Sequence, residues 1–138
     1  EQQDRSYVGF VYAKDKDVTK EVLGGTCGDL SFTIPPNQSN FEVVARKLFL
    51  KDAVLLGMNP HMHLRGKAMM VEAVLPDGTS EVVSYVGNFN FNWMTNYIYA
   101  DDAAPMYPKG TMIRVTAWYD NTRANPKRRP KRRHNYIE

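Results

Sequence analysis

Residues 68–75, Ala-Met-Met-Val-Glu-Ala-Val-Leu, and residues 81–86, Glu-Val-Val-Ser-Tyr-Val, flank the turn sequence Pro76-Asp77-Gly78-Thr79. Both flanking segments are rich in apolar and β-branched residues, which favour extended backbone. Asp-Gly between two such segments is typical of a tight hairpin turn, because Gly accepts a positive φ without strain. This stretch predicts an antiparallel β-hairpin, and the fold prediction starts from it.

Short strands separated by Pro, Gly and Asn are predicted along the rest of the chain. Residues 112–119 alternate well, with Ile113, Val115, Ala117 and Tyr119 on one side. Residues 41–50 are predicted to be a strand with a bulge or a bend at Arg46-Lys47. Because no window shows a sustained helical period, the chain predicts an all-β, antiparallel jelly-roll-like β-sandwich. Further strands are expected at residues 7–12, 30–34, 53–57 continuing into the histidines, 89–93 and 97–99.

Composition limits the class of protein. A chain of 138 residues with 43% hydrophobic residues is long enough for one domain with a real core. Cys27 is the only cysteine, which excludes an internal disulfide and any cysteine-rich zinc or iron–sulfur site. The apolar runs are only a few residues long, so no membrane span is expected.

The positive charge is concentrated at one end. Six of the 18 Lys and Arg residues lie in residues 127–138, and the rest of the chain holds slightly more acids than bases. Such a tail is a nucleic-acid arm, a solvated disordered end, or the product of a shifted reading frame at the Lys127 codon. We favour the second and third explanations over nucleic-acid binding, because the tail lacks interleaved aromatic residues.

His61-Met62-His63 is the main candidate for chemistry, and it holds two of the three histidines of the chain. In a strand, residues two apart share a face, with Cβ atoms roughly 6–7 Å apart, which suits two imidazoles binding one metal. On spacing alone His61 and His63 are therefore either metal ligands or structural residues, and Met62 would point to the opposite face. A third ligand is needed for a usual catalytic site. The candidates are Met58, Met62, Met69, Met70, Asp77, Met94, Met106, Met112 and His134.

Residues 59–125 resemble the C-terminal domain of copper type II, ascorbate-dependent monooxygenases, the peptidylglycine-hydroxylating and dopamine β-monooxygenase family, and its bacterial members in particular. The segments that carry the resemblance are residues 60–67 (PHMHLRGK), 75–78 (LPDG), 89–93 (FNFNW), 108–111 (PKGT) and 118–126 (WYDNTRANP), with 32–36 (FTIPP) as a weaker match.

The resemblance implies that His61 and His63 are two ligands of the copper that meets O2. It implies that a substrate C–H bond is hydroxylated, that ascorbate is the reductant, and that a preceding domain holds a second copper. It also implies a periplasmic or secreted protein.

The chain departs from this family at three points. The family's third ligand is a Met after the Asn-Pro that corresponds to Asn125-Pro126, and here a basic tail without Met follows. The preceding copper domain is not in the chain. Asn59 stands where members acting on peptidyl-glycine carry Arg, so the substrate, a small molecule or a peptide, is left open.

The expected organisation has three parts. Residues 1–14 are a last strand of a preceding domain or an N-terminal strand, residues 15–126 are the copper-domain-like sandwich, and residues 127–138 are the basic tail. The alternative function is a non-catalytic β-sandwich used for binding or scaffolding, with the two histidines only hydrogen-bonded. The sequence leads us to assign no catalytic residue beyond the metal ligands.

Overall fold

The computed structural model describes residues 3–19 and 21–127, and its strands are all paired antiparallel. The all-β fold class is therefore confirmed. One short 3-10 helix spans Asp15–Asp17. The strands are β1 (Phe41–Leu48), β2 (Ala53–Val54), β3 (Gly57–Met58), β4 (Gly66–Val74), β5 (Ser80–Val86), β6 (Tyr97–Ile98), β7 (Met106–Tyr107) and β8 (Met112–Tyr119).

Four strands form one sheet in the order β1-β8-β4-β5. The predicted hairpin joins β4 to β5, and Gly78 takes the left-handed backbone conformation at φ 88°. The Asp77 carboxylate accepts hydrogen bonds from the Thr79 backbone N–H at 2.9 Å and from the Thr79 hydroxyl at 2.7 Å. The turn chemistry read from the sequence therefore operates as predicted.

One face of this sheet carries the core. The predicted alternation of β8 is confirmed, because Ile113 and Ala117 are buried on that face and Val115 packs beside them. From β4 the same face receives Met69, Val71 and Ala73. Residues of the two-stranded ribbons β2–β7 and β3–β6 pack against one half of this face, and residues 62 and 89–94 pack against the other. The arrangement is consistent with a β-sandwich, and the jelly-roll topology stays a prediction.

The opposite face of the sheet is held by polar pairs between strands. The Arg114 guanidinium of β8 donates to both carboxylate oxygens of Glu72 on β4, at 2.8 and 2.9 Å. This bidentate bond lowers the pKa of Glu72 below its ordinary value. Next to β8, the Trp118 indole N–H donates to Glu42 of β1 at 3.1 Å.

Several predicted strands are absent. Residues 7–12, 30–34 and 89–93 lie outside any strand, and so do His61 and His63. β-Propensity reflects fit to a paired surface, and none of these segments has a neighbouring strand to pair with in the described residues. The predicted bulge at Arg46-Lys47 is also wrong, because β1 pairs with β8 in continuous register. The short strand β7 was missed because Pro105 and Pro108 bracket it and indicated a loop.

The proposed three-part organisation stays a prediction. Residues 128–138, which hold most of the basic tail, lie outside the described residues. Within residues 3–19 and 21–127, no helix is long and apolar enough to cross a membrane.

Candidate metal site

The two histidines follow directly from a short ribbon strand. β3 pairs with β6 through Gly57 opposite Ile98 and Met58 opposite Tyr97. Asn59 then donates its side-chain amide to Asn96 at 2.6 Å. Pro60 has no backbone N–H to continue a ladder, which explains why the ribbon stops there. The predicted histidine strand is thus replaced by a loop, residues 59–65, that leads into β4.

Burial still alternates through this loop. His61 and His63 are exposed, whereas Met62 between them is only 2% exposed. Met62 packs in the core cluster with Met69, Phe89 and Ala117. This packing agrees with the expectation that Met62 points away from His61 and His63. The alternation results from burial of the Met62 side chain in the core and not from strand pairing.

Close packing at Gly66 keeps the start of β4 next to the buried Met62 side chain. A Cβ atom at this position would come within 2.7 Å of the Met62 Cβ and 2.8 Å of a Phe89 ring carbon. Only glycine therefore lets the start of β4 lie this close to the Met62 side chain. The chain also turns tightly here, because the Gly66 N–H donates to the His63 carbonyl at 2.8 Å.

The two imidazole rings lie close together in an edge-to-face arrangement. Their ring centroids are 5.3 Å apart and their planes meet at 83°. Phe91 lies beyond His63, with its ring centroid 6.1 Å away and its plane at 82°. Imidazole nitrogen is one of the donor types that copper accepts in proteins, so the two rings remain candidates for a metal-binding pair.

Residues directly after β8 form hydrogen bonds with Arg65, at the C-terminal end of the histidine loop. The Arg65 guanidinium donates to the Asn121 side-chain oxygen at 2.7 Å, and the Asp120 N–H donates to the Arg65 carbonyl at 2.8 Å. The Asn121 amide in turn donates to the carbonyls of Ile34 and Pro35, both at 3.0 Å. Sequence reasoning missed this role of Asn121, and its only signal was the position of Asp-Asn directly after a strand.

Asp120 serves the turn rather than the histidines. Its carboxylate accepts a hydrogen bond from the Thr122 N–H at 2.9 Å. Hydrogen bonding from Thr122 holds the pKa of Asp120 below its ordinary value. This is the local Asx-type bonding expected of Asp at a strand end.

The candidates for a third metal ligand lie in different parts of the fold. Met62 and Met69 are buried in the core, and Asp77 is bonded within the β4–β5 turn. Met94 is only partly buried and packs against the same cluster as Met62 and Phe91, so it lies at the histidine end of the fold. His134 lies outside the described residues. Met58, Met70, Met106 and Met112 belong to strands β3, β4, β7 and β8.

The described part of the chain contains no group of three or more His, Cys, Asp or Glu side chains that could hold a metal ion. No protein-family model, curated protein or solved structure matches the chain. The metal site stays a prediction, and the structure shows two neighbouring exposed imidazoles, those of His61 and His63.

Proposed function

We propose that this chain is the O2-activating copper domain of an ascorbate-dependent monooxygenase that hydroxylates a substrate C–H bond. The observation that supports it most is the pair of exposed imidazoles, 5.3 Å apart, fixed by a buried methionine between them. Imidazole binds copper in both oxidation states, whereas the carboxylate ligands preferred by Mg²⁺ and Ca²⁺ are absent from the loop between Pro60 and Gly66.

In this proposal His61 and His63 hold the copper, and bound copper supplies the one-electron chemistry with O2 for which ascorbate is the reductant. The protein's own contribution is orientation. Met62 fixes the backbone between the ligands, and the Arg65–Asn121 bond fixes the loop after them. The Phe91 ring lies edge-to-face with the His63 imidazole, at a centroid distance of 6.1 Å.

The isolated site is incomplete in this proposal. A thioether would favour Cu(I), the form that meets O2, and Met94 is the described methionine best placed to be tested as that ligand. In the same proposal, a second copper on a preceding domain would supply an electron to this site. The proposed location of the protein is periplasmic or secreted.

Copper titration tests the metal site. We expect wild-type protein to take up one Cu(II) ion with an EPR spectrum showing nitrogen ligands. His61→Ala and His63→Ala should each lower the affinity by at least about tenfold, because each removes a ligand. His134→Ala removes the only other histidine in the chain, itself a third-ligand candidate, and should lower the affinity less than either loop variant. Equal copper uptake by wild type and both loop variants, or a loss confined to His134→Ala, would overturn the proposal.

A non-catalytic β-sandwich module for binding or scaffolding is the second candidate. The lack of a three-ligand cluster of His, Cys, Asp or Glu among residues 3–19 and 21–127 favours it. It predicts no stoichiometric copper uptake by wild-type protein, so the same titration separates the two functions.

A further inference from the structure

Residues 7–12 (YVGFVY), here called the exposed segment, present a continuous apolar surface to solvent. Five of the six residues have large apolar or aromatic side chains, and each of these is at least 72% exposed. The Phe10 and Tyr12 rings lie 6.3 Å apart, so side chains two residues apart share a side of the backbone, as in a strand. Isolated apolar side chains are common on protein surfaces, but a continuous run of this size is typical of an interaction site.

Strand β1 (Phe41–Leu48) offers a free edge to such a segment. It is the first strand of the four-stranded sheet, and in the described residues its backbone pairs with β8 alone. The N–H and C=O groups on its other side are therefore a template for one more strand.

The opposite edge strand, β5, is a poorer template. Its pairing with β4 contains a register shift, and irregularities of this kind interrupt strand addition at sheet edges. The Tyr99 hydroxyl also donates to the Val83 carbonyl of β5 at 3.4 Å. Of the two edges, β1 is therefore the better partner for the exposed segment.

One antiparallel register gives complementary pairs along β1. It places residue 12 opposite residue 44. On the face of β1 turned away from the core, the facing pairs are then Lys14–Glu42, Tyr12–Val44, Phe10–Arg46 and Val8–Leu48. The first is an ion pair, the third sets an aromatic ring beside a guanidinium, and the other two are apolar contacts. Glu42, Arg46 and Leu48 are exposed, so these positions are open to a second strand.

Gly9 suits the other face of the same register. It lies opposite Lys47, whose ammonium donates to the Thr26 carbonyl at 3.3 Å. A lysine on an edge strand discourages the addition of a strand. Because glycine has no side chain, it leaves Lys47 and its hydrogen bond in place.

The connection between the exposed segment and the domain is long enough for exchange between two molecules. Thr26 is bonded to Lys47 of β1, and residues 13–25 lie between Thr26 and the segment. An extended connection of that length spans up to about 45 Å. Two copies can therefore exchange their segments, which closes the pair and covers both β1 edges.

We propose that this chain forms a dimer in which the exposed segment of each copy adds to strand β1 of the other as an antiparallel strand. The partner is a second copy because the segment and the edge that complements it in charge and apolar pattern belong to the same chain. The proposal is independent of the proposed copper function.

Sedimentation velocity of the full chain tests the dimer. The mass should rise with concentration from 15.8 kDa to twice that value. For two short exchanged strands we expect a Kd on the order of 10–100 μM. A monomer at every concentration up to well above this range would overturn the proposal.

Phe10→Lys tests the exposed segment. It replaces the aromatic ring with an ammonium opposite Arg46 and should weaken the dimer at least about tenfold. Val22→Lys is the matched control, because Phe10 and Val22 are both 72% exposed and the added charge is the same. Val22→Lys should dimerise as wild type does. Equal weakening by the two variants would overturn the role of residues 7–12.

A charge exchange tests β1 as the edge. Lys14→Glu places two acids opposite each other and should weaken the dimer about three- to tenfold, and the Lys14→Glu/Glu42→Lys double variant should recover. Lys16→Glu is the matched control, because Lys16 lies outside the paired residues, and it should dimerise as wild type does. Failure of the double variant to recover would overturn β1 as the partner strand.

Hydrogen exchange separates a second copy from pairing within one chain. The amides of residues 8–12 should be protected only at concentrations where the dimer forms. Equal protection at all concentrations, with the mass of a monomer, would mean that the segment pairs within its own chain and would overturn the exchange between copies.

Discussion

Residues 7–12 (YVGFVY) and strand β8 (Met112–Tyr119) have the same kind of sequence and opposite environments. Both are rich in β-branched and aromatic residues, and both are predicted to be strands. β8 lies inside the sheet and pairs with β1 on one side and β4 on the other. Residues 7–12 form no strand, and Tyr7 and Phe10 are 83% and 72% exposed.

The difference shows that a composition rich in β-branched and aromatic residues favours extended backbone but does not provide a neighbouring strand to pair with. A strand is stabilised by cross-strand pairs and by burial of one face, and β8 has both. In the described residues, residues 7–12 have neither. Three experiments test this contrast.

Amide hydrogen exchange should show the largest difference. We expect the Val115 amide, on a strand paired on both sides, to exchange at least roughly a thousandfold more slowly than in an unfolded chain. The amides of residues 8–12 should exchange near the unfolded rate. Protection of residues 8–12 at low protein concentration would contradict the contrast, and protection only at high concentration would indicate pairing between copies.

Truncation of side chains should give the next largest difference. Ile113 is 8% exposed in the core cluster with Val71, Ala73 and Tyr107. Ile113→Ala should lower the free energy of unfolding by about 2–5 kcal/mol, because it removes buried methyl groups and leaves a cavity. Phe10→Ala should change it by less than about 0.5 kcal/mol. Urea unfolding followed by tryptophan fluorescence measures both, and comparable losses would mean that residues 7–12 are packed in solution.

The Glu72–Arg114 pair should give the smallest effect. The folded pKa of Glu72 lies below its ordinary value, so the pair stabilises the fold above the unfolded pKa and is lost as pH falls through the folded value. Between neutral pH and pH 3, wild type should lose about 1 kcal/mol more stability than Glu72→Gln, since Arg114 is partly exposed to solvent.

Glu21→Gln is the control for this pH series, because Glu21 is exposed. Its unfolding free energy should follow that of wild type at every pH. Parallel curves for wild type and Glu72→Gln would show that the bidentate bond between β4 and β8 adds nothing to stability.

Much of the fold was predictable where local and long-range signals agree. The β4–β5 hairpin follows from Asp77-Gly78 between two apolar segments, and the buried side of β8 follows from its alternation. Secondary structure was predicted wrongly where contacts between residues distant in sequence determine the backbone conformation. Residues 89–93 turn instead of extending as the predicted strand, so Phe89 is buried and Phe91 packs beside the core, whereas Trp93 is 78% exposed.

The candidate site also has parts that can be predicted from sequence and parts that cannot. Two histidines separated by one residue predict a metal-binding pair, and this stays a prediction; the structure places their ring centroids 5.3 Å apart. Sequence could not identify the supports, because Gly66, Phe91 and Asn121 reach the loop only through packing of β4, residues 89–94 and the end of β8.

The β4–β5 hairpin and the buried side of β8 could be predicted from the amino-acid sequence, because both depend on residues that are neighbours along the chain. Long-range packing determines which extended segments become strands and which side of the histidine loop is buried. Met62 reaches the core through contacts with Met69, Phe89 and Ala117, residues that are distant in sequence and are brought together only by folding. Burial of that one side chain leaves His61 and His63 together on the exposed side of the loop, where a metal could reach them.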